Sequence, residues 1–152
     1  MDKPTLTPAQ AAALLKPGQS IIVGGFGLTG YPIRIVNALA ESGVSDITYI
    51  SNNVGEPGHG GGRMLRNGQL KKVVGTFFTN NPEVYEAQQA GKLDVELIPQ
   101  GNLAEALRAG GAGLGGFYTP TSAGTVLAEG KEQREINGRQ MVLVAPITAD
   151  VA

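Results

Sequence analysis

The stretch SIIVGGFGLTGYPIRIVNALAESG, Ser20 to Gly43, decides the fold. Ser20-Ile21-Ile22-Val23 is a continuous β-branched run of the kind found in a strand buried on both faces. A glycine-rich loop follows from Gly24 to Gly30, and Pro32 then stands where a helix can do without an amide proton. Ile33, Val36, Leu39 and Ala40 recur at helical spacing, and Gly43 supplies the stop. Strand, loop and helix in this order open an alternating α/β chain.

The same alternation continues outward. Upstream, Thr7 and Gln10 form a capping box for a helix from Pro8 to about Leu15, which the Pro17-Gly18 turn ends. Downstream, Asp46 to Ile50 and Lys72 to Thr76 read as the second and third strands, with a short helix around Met64 and Leu65 between them. Asn81-Pro82-Glu83 supplies a cap, a first-turn proline and a first-turn acid for a helix that Gly91 stops. Leu93 to Ile98 gives a fourth strand, Leu103 to Leu107 a helix, and Gln140 to Val144 a late strand. This order predicts an α/β fold with an open, mainly parallel sheet and helices on both faces. Ala109 to Gly130 lacks periodicity and is rich in glycine, the mark of a long functional loop.

Composition bounds the function. At 152 residues and 41% hydrophobic content, the chain is expected to form a single domain over 1–152. A net charge of −1 without a basic stripe argues against nucleic acid as a partner. Without cysteine there is no disulfide, thiolate nucleophile or Cys-based zinc site, and the cytoplasm is the expected compartment. The start MDKPTLTPAQ has no basic region leading into an apolar core, so no signal or transit peptide is expected. The charge-poor stretches Pro17 to Ile33 and Ala109 to Ala128 are broken by Gly, Pro, Ser and Thr, so no membrane span is expected. His59, the only histidine, has no second ligand at metal-binding spacing, and no metal site is expected. Glycine stands at 23 residues and charged residues at only 16%, which points to tight loops and a surface that a partner covers.

Gly25-Phe26-Gly27-Leu28-Thr29-Gly30 spells G-x-G-x-x-G between a strand and a helix. Such a loop can present amides to an anion at a helix N-terminus, so a dinucleotide is one candidate ligand. That ligand also needs an acid at the end of the second strand to hold its ribose, and Ile50-Ser51-Asn52-Asn53 offers none. A tight turn without a ligand is the remaining alternative.

Longer matches narrow the choice. PGQSIIVGGFGLTGYP, from Pro17 to Pro32, closely resembles the glycine-rich signature of the α subunit of family I coenzyme A transferases. The resemblance continues through Ser51-Asn52-Asn53, PQGNLAEALRAGGAG from Pro99 to Gly113, Phe117-Tyr118-Thr119-Pro120-Thr121 and GRQMVLVAPITADVA at the end. One departure is Pro17, where the signature usually has Asp or Asn; a Pro-Gly turn serves the same backbone purpose. The other is length, because such subunits continue past the segment matching Ala149-Asp150-Val151, implying a C-terminally truncated chain.

The resemblance implies a ping-pong transfer of coenzyme A from an acyl-CoA, such as succinyl-CoA or acetyl-CoA, to a 3-oxoacid or another short carboxylate. A glutamate of the partner β subunit is the implied nucleophile and carries a glutamyl-CoA thioester, as in ordinary covalent catalysis. The implied assembly is a heterodimer or heterotetramer, with coenzyme A as substrate and carrier and no other cofactor. Gly24, Gly25, Phe26, Gly27, Leu28, Thr29 and Gly30 would line the CoA and acyl site. Asn52 and Asn53 would bind substrate, and Gln100 would support the oxyanion formed in attack on the thioester. Each has a plainer alternative: a core aromatic for Phe26, an Asx-turn for the asparagines, and an exposed helix-leading residue for Gln100. A nonenzymatic remnant that keeps the fold and partner surface is the further alternative for the chain as a whole.

Overall fold

The computed structural model describes residues 4–152; Met1 to Lys3 lie outside the described residues. Contacts along the chain divide it into two units, residues up to Glu96 together with Ala149–Ala152, and Leu97–Thr148.

In the first unit the capping box at Thr7 is formed: the Gln10 amide donates to the Thr7 hydroxyl, and the Thr7 amide donates to the Gln10 side chain. It opens α1 (Pro8–Ala12), and β1 (Ser20–Val23) follows. Next come α2 (Ile33–Ser42), β2 (Ile47–Ser51), α3 (Gly61–Arg66), β3 (Leu70–Gly75), α4 (Pro82–Gln89) and β4 (Asp94–Leu97). The strands lie in the order β1-β2-β3-β4, and β1 with β2 and β2 with β3 are parallel. The parallel sheet with alternating helices is what the hydrophobic pattern led us to expect. Side chains from α1, α2, α3 and α4, including Ala12, Val36, Leu39, Met64 and Val84, form one core cluster with Ile21, Val23, Ile47, Tyr49 and Val73. In this unit α2, α3 and α4 therefore share one face, since strands laid down in sequence order by crossovers of one hand return each helix to the same side, and α1, which precedes β1, packs against α2 in the same core.

The sheet also gains a neighbour from the far end of the sequence. The Ile22 amide donates to the Val151 carbonyl and the Val151 amide to the Ser20 carbonyl, a parallel bridge on the outer edge of β1. The Asp150 carboxylate fixes this join by accepting from the Ser20 amide at 2.8 Å and the Ser20 hydroxyl at 2.7 Å. Those bonds hold the Asp150 carboxyl below its ordinary value of 3.8.

In the second unit α5 (Gln100–Ala112) ends at Gly113 in the left-handed conformation. It is followed by β5 (Phe117–Thr119), a 3-10 turn (Val126–Ala128), β6 (Gln133–Ile136) and β7 (Arg139–Val144). The late strand does not join the parallel sheet: β7 sits between β5 and β6 and is antiparallel to both. Asn137 and Gly138 connect β6 to β7, both with positive φ, as a type I′ hairpin requires. The glycine-rich segment after Arg108 is thus only partly loop: it holds the end of α5, all of β5 and the 3-10 turn, joined by turns. Gly110 explains part of its composition. The Ile147 amide donates to the Ala106 carbonyl, and a Cβ on Gly110 would lie 2.0 Å from the Ile147 carbonyl oxygen.

Two outcomes follow from this geometry. Gly110→Ala is expected to destabilise by about 1–3 kcal/mol, because backbone must move to admit the methyl. Gly111→Ala, where a Cβ meets nothing within 4 Å, is expected to stabilise the helix by roughly 0.5–1 kcal/mol. Denaturant melts of the two variants check the contrast, and equal shifts would contradict the packing. For Asp150 the folded value is depressed, so its contribution is complete above 3.8 and is lost as pH falls through the folded value. Asp150→Asn is accordingly expected to flatten the acid limb of a stability-against-pH curve.

Candidate functional site

The register of β1 and β2 places the first two loops side by side. Val23 pairs with Ser51, so Gly24 and Asn52 leave the same end of adjacent parallel strands. This carboxyl end is where open α/β sheets bind ligands.

Gly24 to Gly30 closes on itself as a small ribbon. The Phe26 amide donates to the Thr29 carbonyl and the Thr29 amide to the Phe26 carbonyl, both at 3.0 Å. The tip is Gly27-Leu28, with Gly27 at φ +59, the sign that a type II′ turn needs at its first central residue. Phe26 is 74% exposed, so it is not the core aromatic that its hydrophobicity alone would allow. Two loop amides are consumed within the ribbon, and α2 opens on Pro32 without a side-chain cap. An open phosphate cradle of the dinucleotide kind needs those amides aimed at the ligand instead.

The loop after β2 is fastened by its asparagines. The Asn53 side-chain oxygen accepts from the Gly55 amide at 2.8 Å, an Asx-turn, and its Nδ2 donates to Asn52 Oδ1 at 3.0 Å. Asn53 is buried at 4% exposure, whereas Asn52 is half-buried. Asn52 Nδ2 donates to the Thr76 hydroxyl, and its backbone carbonyl accepts from the Thr76 and Phe77 amides. These bonds tie the loop to the segment following β3. Nearby, Asn81 caps α4 by accepting from the Glu83 amide, as expected, while its buried Nδ2 has no partner.

Tyr31 joins the two loops, and nothing in the local sequence pattern singles it out. It follows Gly30 directly, and a Cβ on Gly25 would lie 3.1 Å from Tyr31 Cα. Its ring is buried, and its hydroxyl accepts from the Gly61 amide at 2.9 Å and is hydrogen-bonded to the Tyr49 hydroxyl. Burial raises the Tyr31 phenol above its ordinary value and raises Tyr49 well above it. Both stay neutral at working pH and serve as hydrogen-bonding groups, not as acids.

Gln100 is the exposed first residue of α5 in the second unit, the helix-leading position that its sequence setting implies. His59 is exposed, with Nδ1 3.1 Å from the Pro57 carbonyl oxygen. Among the described residues no three His, Cys, Asp or Glu side chains gather in a group that could hold a metal ion, and no helix is long and apolar enough to cross a membrane.

Comparison with known proteins places this arrangement. The family model described as Coenzyme A transferase matches residues 5–152. The A-type subunit of a probable succinyl-CoA:3-ketoacid coenzyme A transferase of Bacillus subtilis is 46% identical over 153 residues, covering 100% of this chain and 64% of that protein. The alpha subunit of the acetate CoA-transferase of Escherichia coli K12 is 44% identical, covering 97% of this chain and 67% of that protein. An acyl-CoA transferase of Escherichia coli O157:H7, solved as a thioester complex with CoA, superposes with a TM-score of 0.83 at 19% identity, over 97% of this chain and 33% of that one. The chain therefore spans about two thirds of the length of the curated relatives it matches. The parallel sheet, the glycine ribbon at its carboxyl end and the match over residues 5–152 together place this chain in the coenzyme A transferase family.

Proposed function

We propose that this chain is the α-subunit part of a CoA transferase that works together with a β subunit in a heterodimer or heterotetramer. The enzyme moves coenzyme A from an acyl-CoA, such as succinyl-CoA or acetyl-CoA, to a 3-oxoacid or other short carboxylate. The reaction is ping-pong and runs through a glutamyl-CoA thioester on the β subunit. The observation that carries this proposal is the family match along residues 5–152, with relatives whose names are those of the corresponding subunits of such transferases.

Each residue has a role consistent with its setting. The ribbon from Gly24 to Gly30 forms a wall of the acyl-CoA site, and the exposed Phe26 ring offers apolar contact to the thioester arm. Asn52, less buried than Asn53, is the better placed of the two to meet a carboxylate, while Asn53 shapes the loop. Gln100 donates its side-chain amide to the oxyanion that develops at the thioester carbonyl.

A covered surface is also supported. Leu14, Ile33 and Ile35 are exposed large hydrophobics, and an apolar groove of about 340 Å³ runs beside them between α1, α2 and β1. Val151 and Ala152 also line this groove, and apolar surface of this kind is suited to cover by further protein, from the same subunit or a partner. A dinucleotide oxidoreductase is disfavoured by the closed Phe26–Thr29 ribbon and by the lack of an acid after β2.

The test is CoA exchange between acyl-CoA and a short carboxylate by the complete α subunit in complex with its β partner. Gln100→Ala is expected to lower kcat by about 10²–10³-fold, the usual loss for one oxyanion donor, while complex formation is kept. Unchanged turnover at saturating substrate would remove the oxyanion assignment. A folded complex with no CoA exchange would favour a nonenzymatic remnant.

A further inference from the structure

We infer that Tyr31 is a positioning residue whose hydroxyl locks the Gly24–Gly30 ribbon to the Gly55–Gly61 loop and so sets the affinity for acyl-CoA. This rests on the proposed transferase function, in which the ribbon is a wall of the acyl-CoA site.

The geometry makes Tyr31 the post on which both loops hang. Its backbone is continuous with Gly30 at one end of the ribbon and packs beneath Gly25 at the other, where a Cβ would meet Tyr31 Cα and Cδ2 at 3.1 Å. Its ring passes under Gly60, where a Cβ would lie 3.0 Å from Tyr31 Cε1 and 3.3 Å from Leu28 Cδ2. Leu28 at the ribbon tip and Tyr31 at its base thus both press on one glycine of the second loop. The directed bond across this contact is the Gly61 amide donating to the Tyr31 hydroxyl at 2.9 Å. Removing that oxygen leaves a buried amide without its acceptor, which costs more than the loss of an exposed bond. The Tyr49 hydroxyl buttresses the same oxygen from beneath, with Tyr49 at 0% exposure. The ribbon that carries the exposed Phe26 is then anchored, through Tyr31, to Gly61, a residue on the far side of two further elements of the chain.

The test is Tyr31→Phe in the complete α subunit with its β partner, a change that keeps the ring and removes one oxygen. Two quantities are read, hydrogen exchange of peptides covering 24–30 and 55–61, and KM against kcat for acyl-CoA. The expected result is exchange at least tenfold faster in both segments, with KM raised about fivefold or more and kcat within about twofold, as loss of a single hydrogen bond implies. Tyr49→Phe, which removes the buttress but keeps the Gly61 bond, is expected to change both quantities clearly less than Tyr31→Phe does. Faster exchange confined to 55–61 would overturn the coupling. Faster exchange in both segments with unchanged KM would overturn the role in binding. An effect of Tyr49→Phe equal to that of Tyr31→Phe would place the lock in the buried pair and overturn the assignment to the loop-to-loop bond. Absence of CoA exchange by the wild-type complex would sink the functional proposal itself and leave hydrogen exchange to decide the coupling.

Discussion

Val23 opposite Ser51 in the parallel pairing of β1 and β2 is the constraint on which the candidate site depends. A parallel register puts both strand ends on one edge of the sheet, so the two glycine-containing loops emerge as neighbours although Gly24 and Asn52 are separated along the chain by a whole helix. A slip of one residue would exchange the faces of β1 and carry Ile21 and Val23 out of the core. The Asp150 clamp on Ser20 pins the other end of the same strand. β1 is thus held at its start by a carboxylate and along its length by β2, and its far end delivers the ribbon to a fixed place.

The two loops solve different problems with the same residue type. In the ribbon, glycine supplies the backbone sign that a two-residue tip requires, and side-chain space is not limiting: a Cβ on Gly27 would meet nothing within 4 Å. Around the second loop, close approach is what matters. A Cβ on Gly61 would lie 2.7 Å from the Val54 carbonyl oxygen, and one on Gly62 would lie 2.1 Å from that of Glu56. Glycine there lets backbone pack directly on backbone and on the two tyrosines.

Much of this is legible in the sequence. The β-branched run at Ser20 to Val23 matches β1 to the residue, and the Gly43 stop and Asn81 cap fall where side-chain chemistry demands them. Local rules suffice in these places because the signal and the structure involve the same few residues. The antiparallel sheet is harder to read. Phe117-Tyr118-Thr119 is only three residues long, and its strand identity comes from pairing with Val142 to Val144. The Asn137-Gly138 pair is a usable hairpin signal that the pattern reading passes over, since both residues take the positive φ that this dipeptide favours. α5 runs through Gly110 and Gly111, against helix propensity, because the approach of Ile147 needs a bare backbone at Gly110. At the site, spacing alone locates the glycine ribbon, and the Asx-turn at Asn53 is among the alternatives that the sequence leaves open. Tyr31 escapes such a reading, because its meaning lies in an amide 30 residues away.

In the proposed enzyme the Gly24–Gly30 ribbon lines the acyl-CoA site. The most direct measurement is photo-crosslinking of the complete complex with an acyl-CoA carrying a photoreactive acyl group, followed by mapping of the labelled peptides. Label is expected on the segment from Gly24 to Tyr31, centred on the exposed Phe26 and suppressed by excess unlabelled acyl-CoA. Competable label confined to other segments, with none in the ribbon, would contradict it.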